Sequence, residues 1–142
     1  MEGPQYPFLA SREAFAEFRR AWEAGTLPKA EWTHAAHVAM AACYVVEFGD
    51  GAFERMKAGI IRYNLAVGGQ NTDTSGYHET LTRLWSNVIA TEVAGITCPW
   101  AAAVAAAGKY GAARDLHARY YSFDVVKSVQ ARREWIPPDL AG

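Results

Sequence analysis

The 142 residues suffice for one domain, and a chain of this size buries roughly 70% of the surface that it exposes when unfolded. Hydrophobic residues make up 51% and charged residues 20%, which excludes wholesale disorder, and a net charge of −1 without a basic block disfavours nucleic-acid binding. Two distant cysteines, Cys43 and Cys98, exclude a disulfide scaffold, and the first five residues lack the features of a secretion signal. The longest uncharged stretch, 93–108, is too short to span a bilayer. We therefore expect a soluble, cytoplasmic protein that binds neither nucleic acid nor membranes.

The pattern of residues predicts an all-α fold. The chain contains 27 alanines, and its apolar residues recur at spacings of three and four, whereas alternating runs of β-branched residues are nearly absent. Helix-capping residues and glycine breaks define four helices and a fifth, alanine-rich helix after Pro99, with weaker helical segments beyond it. The four helices cover residues 11–23, 33–48, 52–67 and 77–93, and the weaker segments cover 112–120 and 123–134. We expect a single domain, residues 1–142, in which the C-terminal helices pack against a four-helix core.

Three of the four histidines fall at the start of two of these helices. His34 and His37 are three residues apart and share a helical face, and His78 opens the fourth helix. The free amides and the dipole at a helix start disfavour imidazolium, so these rings should be neutral, the form that binds metals or acts as a base. Consecutive helices alternate in direction in a bundle with short connections, so both helix starts should lie at the same end. The sequence therefore predicts that the three histidines lie together.

Polar residues should surround the histidines at this end of the bundle. The last turn of the third helix brings Asn64, and the loop 70–76 brings Asn71 and Asp73. We expect Asp73 and Asn64 to support catalysis, and Asn71 to contact a ligand. Trp32 and Tyr77 could form the walls of the site and contact the same ligand.

Three imidazoles without thiolates suit one divalent transition metal: zinc, iron, manganese or copper. We therefore consider His34, His37 and His78 as metal ligands. A di-iron centre does not fit, because the Glu-x-x-His pattern that ends at His34 has no second copy. The fourth histidine, His117, lies in a weak helix, and we expect it to be an ordinary surface or boundary residue.

Three segments of the sequence form distinctive motifs: Thr-His-x-x-His around His34 and His37, Gly-Tyr-His-Glu-Thr at residues 76–80, and the Trp-Ile-Pro-Pro-Asp-Leu tail. In these segments the chain resembles an uncharacterised family of small bacterial helical proteins. This resemblance covers about residues 26–80 and the tail. The resemblance implies one compact domain and assigns no reaction.

Two hypotheses about function remain from the sequence. In the first, the protein is an enzyme that acts on a small molecule, either with a metal that polarises the substrate or activates water, or with a neutral histidine as general base. In the second, it is a non-catalytic ligand-binding or protein-interaction module whose histidines fasten helix ends and the 70–76 loop. A homodimer is compatible with both hypotheses.

Overall fold

The computed structural model describes residues 6–141 and confirms the all-α fold. Within this range the chain forms six α-helices and four short 3₁₀ helices, without a β-strand. The α-helices are α1 (Arg12–Ala24), α2 (His34–Phe48), α3 (Ala52–Ala66), α4 (Glu79–Glu92), α5 (Pro99–Tyr110) and α6 (Val129–Arg133). The 3₁₀ helices are Pro7–Leu9, Lys29–Glu31, Gly49–Gly51 and Leu116–Arg119. The residues on which the expectation about a secretion signal depends lie outside the described range.

Side-chain caps fix the starts of the first two helices where the sequence predicts them. The Ser11 hydroxyl accepts a hydrogen bond from the Ala14 amide at 3.0 Å, and the Thr33 hydroxyl accepts one from the Ala36 amide at 3.2 Å. At the other end of α1, Gly25 adopts φ 76°, the left-handed conformation that ends many helices.

The fourth helix begins two residues later than the sequence predicts, because His78 is its cap. His78 has extended backbone angles, and its Nδ1 accepts a hydrogen bond from the Leu81 amide at 3.1 Å. The imidazole thus takes the place of the usual Ser, Thr, Asp or Asn oxygen. His78 is therefore fixed at the junction between the 70–76 loop and α4.

The core is built around α2, which is buried on almost every side. Its residues 38–44 are all buried, and α3, α4 and α5 all pack against it. The packing of α5 on α2 is the most extensive contact between elements. The buried residues of α5 are all alanines: Ala102, Ala103, Ala106 and Ala107. Because these side chains are small, the two helices can approach closely.

The region after α5 is less helical than the sequence predicts. The segment predicted at 112–120 is reduced to Leu116–Arg119, and the segment predicted at 123–134 is reduced to α6. Instead, residues 121–136, which we call the C-terminal strap, return to α4 and form a second apolar cluster with Leu84. Burial of Tyr121 and Val125 in this cluster overrides local helix propensity.

The Thr80 side chain attaches the end of the strap to the first turn of α4. The Thr80 hydroxyl donates to the Glu134 carbonyl at 2.7 Å and accepts from the Ile136 amide at 3.0 Å. The strap thus covers the N-terminal part of α4. No helix in the described part of the chain has the length and apolar character needed to cross a membrane.

Candidate functional site

A cavity of about 660 Å³ lies between α2, α3, α4 and the C-terminal region. This volume is within the usual range for small-molecule sites. All four histidines line it, together with two tryptophans, several aliphatic side chains and a few polar groups. The remaining lining residues are Trp32, Thr33, Val38, Ala41, Met56, Ile60, Asn64, Gly76, Tyr77, Leu81, Thr82, Trp85, Ser86, Ile89, Arg114 and Val126. The structure thus brings His34, His37 and His78 to one place, as the sequence predicts.

His37 lies in the first turn of α2, and one of its two ring nitrogens forms a hydrogen bond within the described part of the chain. Its Nδ1 is 3.0 Å from the Thr33 carbonyl oxygen. Because a carbonyl can only accept, Nδ1 carries the proton and Nε2 carries the lone pair. Within residues 6–141 no hydrogen bond involves Nε2. The Trp32 ring packs against the imidazole at a centroid distance of 4.0 Å and fixes its orientation.

Burial keeps the His37 ring neutral. It lowers the pKa of His37 from 6.5 to about 4, outweighing the opposite effect of the Thr33 carbonyl, and nearby His34 adds a small lowering. At neutral pH, Nε2 is therefore a permanent hydrogen-bond acceptor.

In His34 the roles of the two ring nitrogens are the reverse of those in His37. Its Nε2 donates to the Tyr110 carbonyl at the end of α5 at 3.1 Å, so the lone pair is on Nδ1. The Trp85 ring meets the imidazole edge-on at a centroid distance of 4.9 Å. Burial lowers the pKa of His34, and the positive charge of Arg114 lowers it further. His34 is therefore also neutral at pH 7.

His78 uses both ring nitrogens within the protein. Besides the cap on α4, its Nε2 donates to the Val125 carbonyl of the strap at 2.9 Å. Burial lowers the pKa of His78, and the charges of Arg132 and His117 act in the same direction. In this arrangement neither nitrogen has a lone pair left for a metal, which argues against His78 as a ligand.

The three-histidine metal centre predicted from the sequence is not assembled in this arrangement. Within residues 6–141, no group of three or more His, Cys, Asp or Glu side chains is placed to hold a metal ion. The two hydrogen bonds of His78 give a physical reason. Metal binding itself stays a prediction.

Asp73, the residue that we expected beside the histidines, lies elsewhere. It is exposed, and its carboxylate accepts two hydrogen bonds from Arg133 of α6, one of them at 2.7 Å. The guanidinium lowers the pKa of Asp73. Asp73 lines a smaller surface cleft and not the histidine cavity. This corrects its expected placement, because the ion pair holds the carboxylate on the surface.

The asparagines organise the loop that closes one side of the cavity. Asn71 Oδ1 accepts from Asn64 Nδ2 at 2.9 Å and from the Tyr77 amide at 3.0 Å, and Asn71 Nδ2 donates to the Ile61 carbonyl at 3.2 Å. Asn64 lines the cavity, but Asn71 does not. Asn71 holds the loop 70–76 against α3, and its expected ligand contact stays a prediction.

The two predicted wall residues, Trp32 and Tyr77, both line the cavity. The Trp32 indole stacks on the buried Trp22 at a centroid distance of 4.7 Å, and it also packs against His37 and Tyr63. The Tyr77 hydroxyl donates to Glu79 at 2.7 Å, so it is engaged within the protein, and burial together with Glu79 raises the pKa of Tyr77.

Sequence reasoning missed several cavity residues. His117, expected to be a surface or boundary residue, lines the cavity from the 3₁₀ helix Leu116–Arg119, and Arg114 lies just before it. Their positions depend on the path of the chain after α5, where the helical pattern in the sequence is weak. Trp85 could have been found, because it lies two turns after His78 on the apolar face of α4.

Comparison with known proteins finds no matching family model, no matching curated protein and no matching solved structure. The function must therefore be argued from the cavity.

Proposed function

We propose that the protein binds a small molecule with an apolar or aromatic body in the histidine cavity, and that His37 Nε2 accepts a hydrogen bond from it. The observation that carries this proposal is the state of the His37 ring. Its tautomer is set by the Thr33 carbonyl, its plane is held by Trp32, and its remaining nitrogen is unengaged among the described residues.

The composition of the cavity wall supports the same proposal. Two indoles and several aliphatic side chains provide apolar surface, and only a few polar groups interrupt it. Such a surface buries an apolar ligand, while a few fixed polar groups orient it. The indoles of Trp32 and Trp85 add aromatic surface to this wall.

The low pKa of His37 favours binding over acid–base turnover. General bases work best when their pKa lies near the working pH, and the His37 pKa of about 4 is well below it. A neutral imidazole with such a pKa is a good acceptor but a weak base. The ligand-binding interpretation therefore accounts for the geometry with fewer assumptions than a metal-free enzyme with His37 as general base does.

A shape-matched substitution tests the proposal. His37→Phe keeps a planar ring against Trp32 and removes the acceptor. We expect phenol and indole to bind the variant about three- to tenfold more weakly, because one hydrogen bond contributes about 1 kcal/mol. Anisole and 1-methylindole, which lack the donor, should bind both proteins equally. Asn87→Ala, on the exposed side of α4, is the control.

Isothermal titration calorimetry would give the affinities, and nitrogen-15 NMR of the histidine side chains would report the tautomers. We expect a proton on Nδ1 of His37 and on Nε2 of His34 and His78. Equal loss of affinity for indole and 1-methylindole in His37→Phe would contradict the role of His37 as acceptor.

A metal-dependent enzyme is the second candidate, and one observation favours it. A histidine that donates one ring N–H to a backbone carbonyl and presents the other nitrogen is typical of metal ligands, and both His34 and His37 have this arrangement. Elemental analysis of protein purified without a nickel column tests it. Near-stoichiometric metal that is lost in His37→Ala would support this candidate, and metal below about a tenth of an equivalent after reconstitution would refute it.

A further inference from the structure

The ionisable side chains that line the cavity are almost all basic. They comprise the four imidazoles and the Arg114 guanidinium, and the only acidic one is the weakly acidic Tyr77 phenol, which is bound to Glu79. No Asp or Glu is among the described residues of this wall. An apolar cavity with cationic and hydrogen-bonding groups but no carboxylate is complementary to an anion.

Arg114 provides the permanent positive charge. It is exposed, and it takes part in none of the ion pairs formed within residues 6–141. By contrast, Arg19 and Arg133 each pair with a carboxylate on a neighbouring element. The charge of Arg114 reaches the site, since it lowers the pKa of His34. A guanidinium in this position can form two parallel hydrogen bonds with a carboxylate.

The number of positive charges on the cavity wall limits the negative charge of a ligand that the wall can balance. Burial keeps His34, His37 and His78 neutral at pH 7, so the permanently charged group of the described wall is the Arg114 guanidinium. One guanidinium balances a monoanion, whereas a phosphate dianion would keep an uncompensated charge next to Trp85 and the aliphatic wall. A carboxylate therefore fits better than a phosphate.

We propose that the ligand is a small monocarboxylate whose apolar or aromatic body lies against the apolar wall of the cavity and whose carboxylate pairs with Arg114 at the cavity edge. This inference rests on the proposed function and names its ligand class.

Pairs of acids and their amides of nearly identical shape test the inference. The probes are phenylacetate and phenylacetamide, indole-3-acetate and indole-3-acetamide, and hexanoate and hexanamide. Calorimetric titration at pH 7 would measure their affinities for the wild type, for Arg114→Gln and for the control Arg119→Gln. Arg119 is exposed, belongs to the same segment and does not line the cavity.

We expect at least one acid to bind the wild type about tenfold more tightly than its amide, as for a hydrogen bond to a charged group. Arg114→Gln should remove this preference, and Arg119→Gln should keep it. Because the pair is at an exposed edge, 0.5 M salt should reduce the preference.

The possible failures are distinguishable. Amides that bind as tightly as acids, or a preference that persists in Arg114→Gln, would overturn the carboxylate inference and leave the proposed binding function standing. Absence of binding by every probe up to 10 mM would overturn both. Tighter binding of phenyl phosphate, which is mainly a dianion at pH 7, than of phenylacetate would contradict the assignment of a monoanion.

Discussion

Acid should destabilise the protein through the buried neutral histidines, and His37 allows the magnitude to be estimated. Its pKa is about 4 in the folded chain and 6.5 without burial. Below pH 6.5 the His37 ring is therefore protonated in the unfolded chain, whereas in the folded chain it stays neutral down to about pH 4. Each pKa unit corresponds to about 1.4 kcal/mol, so His37 alone should lower the free energy of unfolding by up to about 3 kcal/mol between pH 7 and pH 4.

The sign of this effect is fixed by which state is more protonated. Above pH 6.5 both states are neutral and stability does not depend on His37, whereas between pH 6.5 and 4 stability falls as pH falls. The lowered pKa values of His34 and His78 act in the same direction. Part of the His37 residue stays accessible to solvent, so about 3 kcal/mol is an upper bound for that group.

Urea unfolding at several pH values measures the effect. Carboxylates also contribute in acid, so the informative quantity is the difference in slope between the wild type and His37→Gln. Near pH 5 the wild type should take up about one more proton on unfolding, which corresponds to a slope steeper by about 1.2 kcal/mol per pH unit. Ser86→Ala alters the same cavity wall without removing a titrating group and should keep the wild-type slope. Parallel slopes for the wild type and His37→Gln would refute the claim that a buried neutral ring causes the effect.

Substitutions at three further positions test the elements that hold the site together, each by urea unfolding at pH 7. His78→Ala removes both the cap on α4 and the bond to the strap and should cost about 2–3 kcal/mol, whereas His78→Asn, which can still cap, should recover about 1 kcal/mol. Asn71→Ala removes three hydrogen bonds of the loop and should cost about 2–3 kcal/mol; a loss under 0.5 kcal/mol would mean that water replaces them. Gly76→Ala should cost at least about 2 kcal/mol, because residue 76 has φ +83° and a Cβ there would lie 2.0 Å from the Gln70 carbonyl oxygen.

The sequence predicts the first three helices well because their limits are set by local chemistry. Ser11 and Thr33 are ordinary caps, and the glycine-rich breaks after α1, α2 and α3 stop each helix within a residue or two of the predicted end. The start of α4 was harder, because a histidine side chain that accepts from a backbone amide is not a common cap. After α5 the prediction fails because burial of Val125 against Leu84, about forty residues away, decides the local conformation.

The candidate site likewise has residues whose position local sequence patterns predict and residues whose position depends on distant contacts. His34, His37 and His78 could be grouped from the sequence because each lies at a helix start, and helix starts are readable. His117 could not, because its place depends on how the strap returns to α4. Asp73 was misplaced for a similar reason: its partner, Arg133, is sixty residues away in the chain and no local pattern connects them.

The use of the ring nitrogens separates the two histidine motifs by role. In the Gly-Tyr-His-Glu-Thr segment, one ring nitrogen of His78 caps α4 and the other donates to the Val125 carbonyl. His78 therefore joins two elements, and neither ring nitrogen is left to bind a ligand. In the Thr-His-x-x-His segment, His34 and His37 each bind one backbone carbonyl and keep one lone pair. The first motif therefore joins structural elements at the wall of the cavity, and the second leaves two ring nitrogens without a hydrogen bond among the described residues. Substitutions of His78 should change stability before affinity, and substitutions of His37 should change affinity before stability at neutral pH.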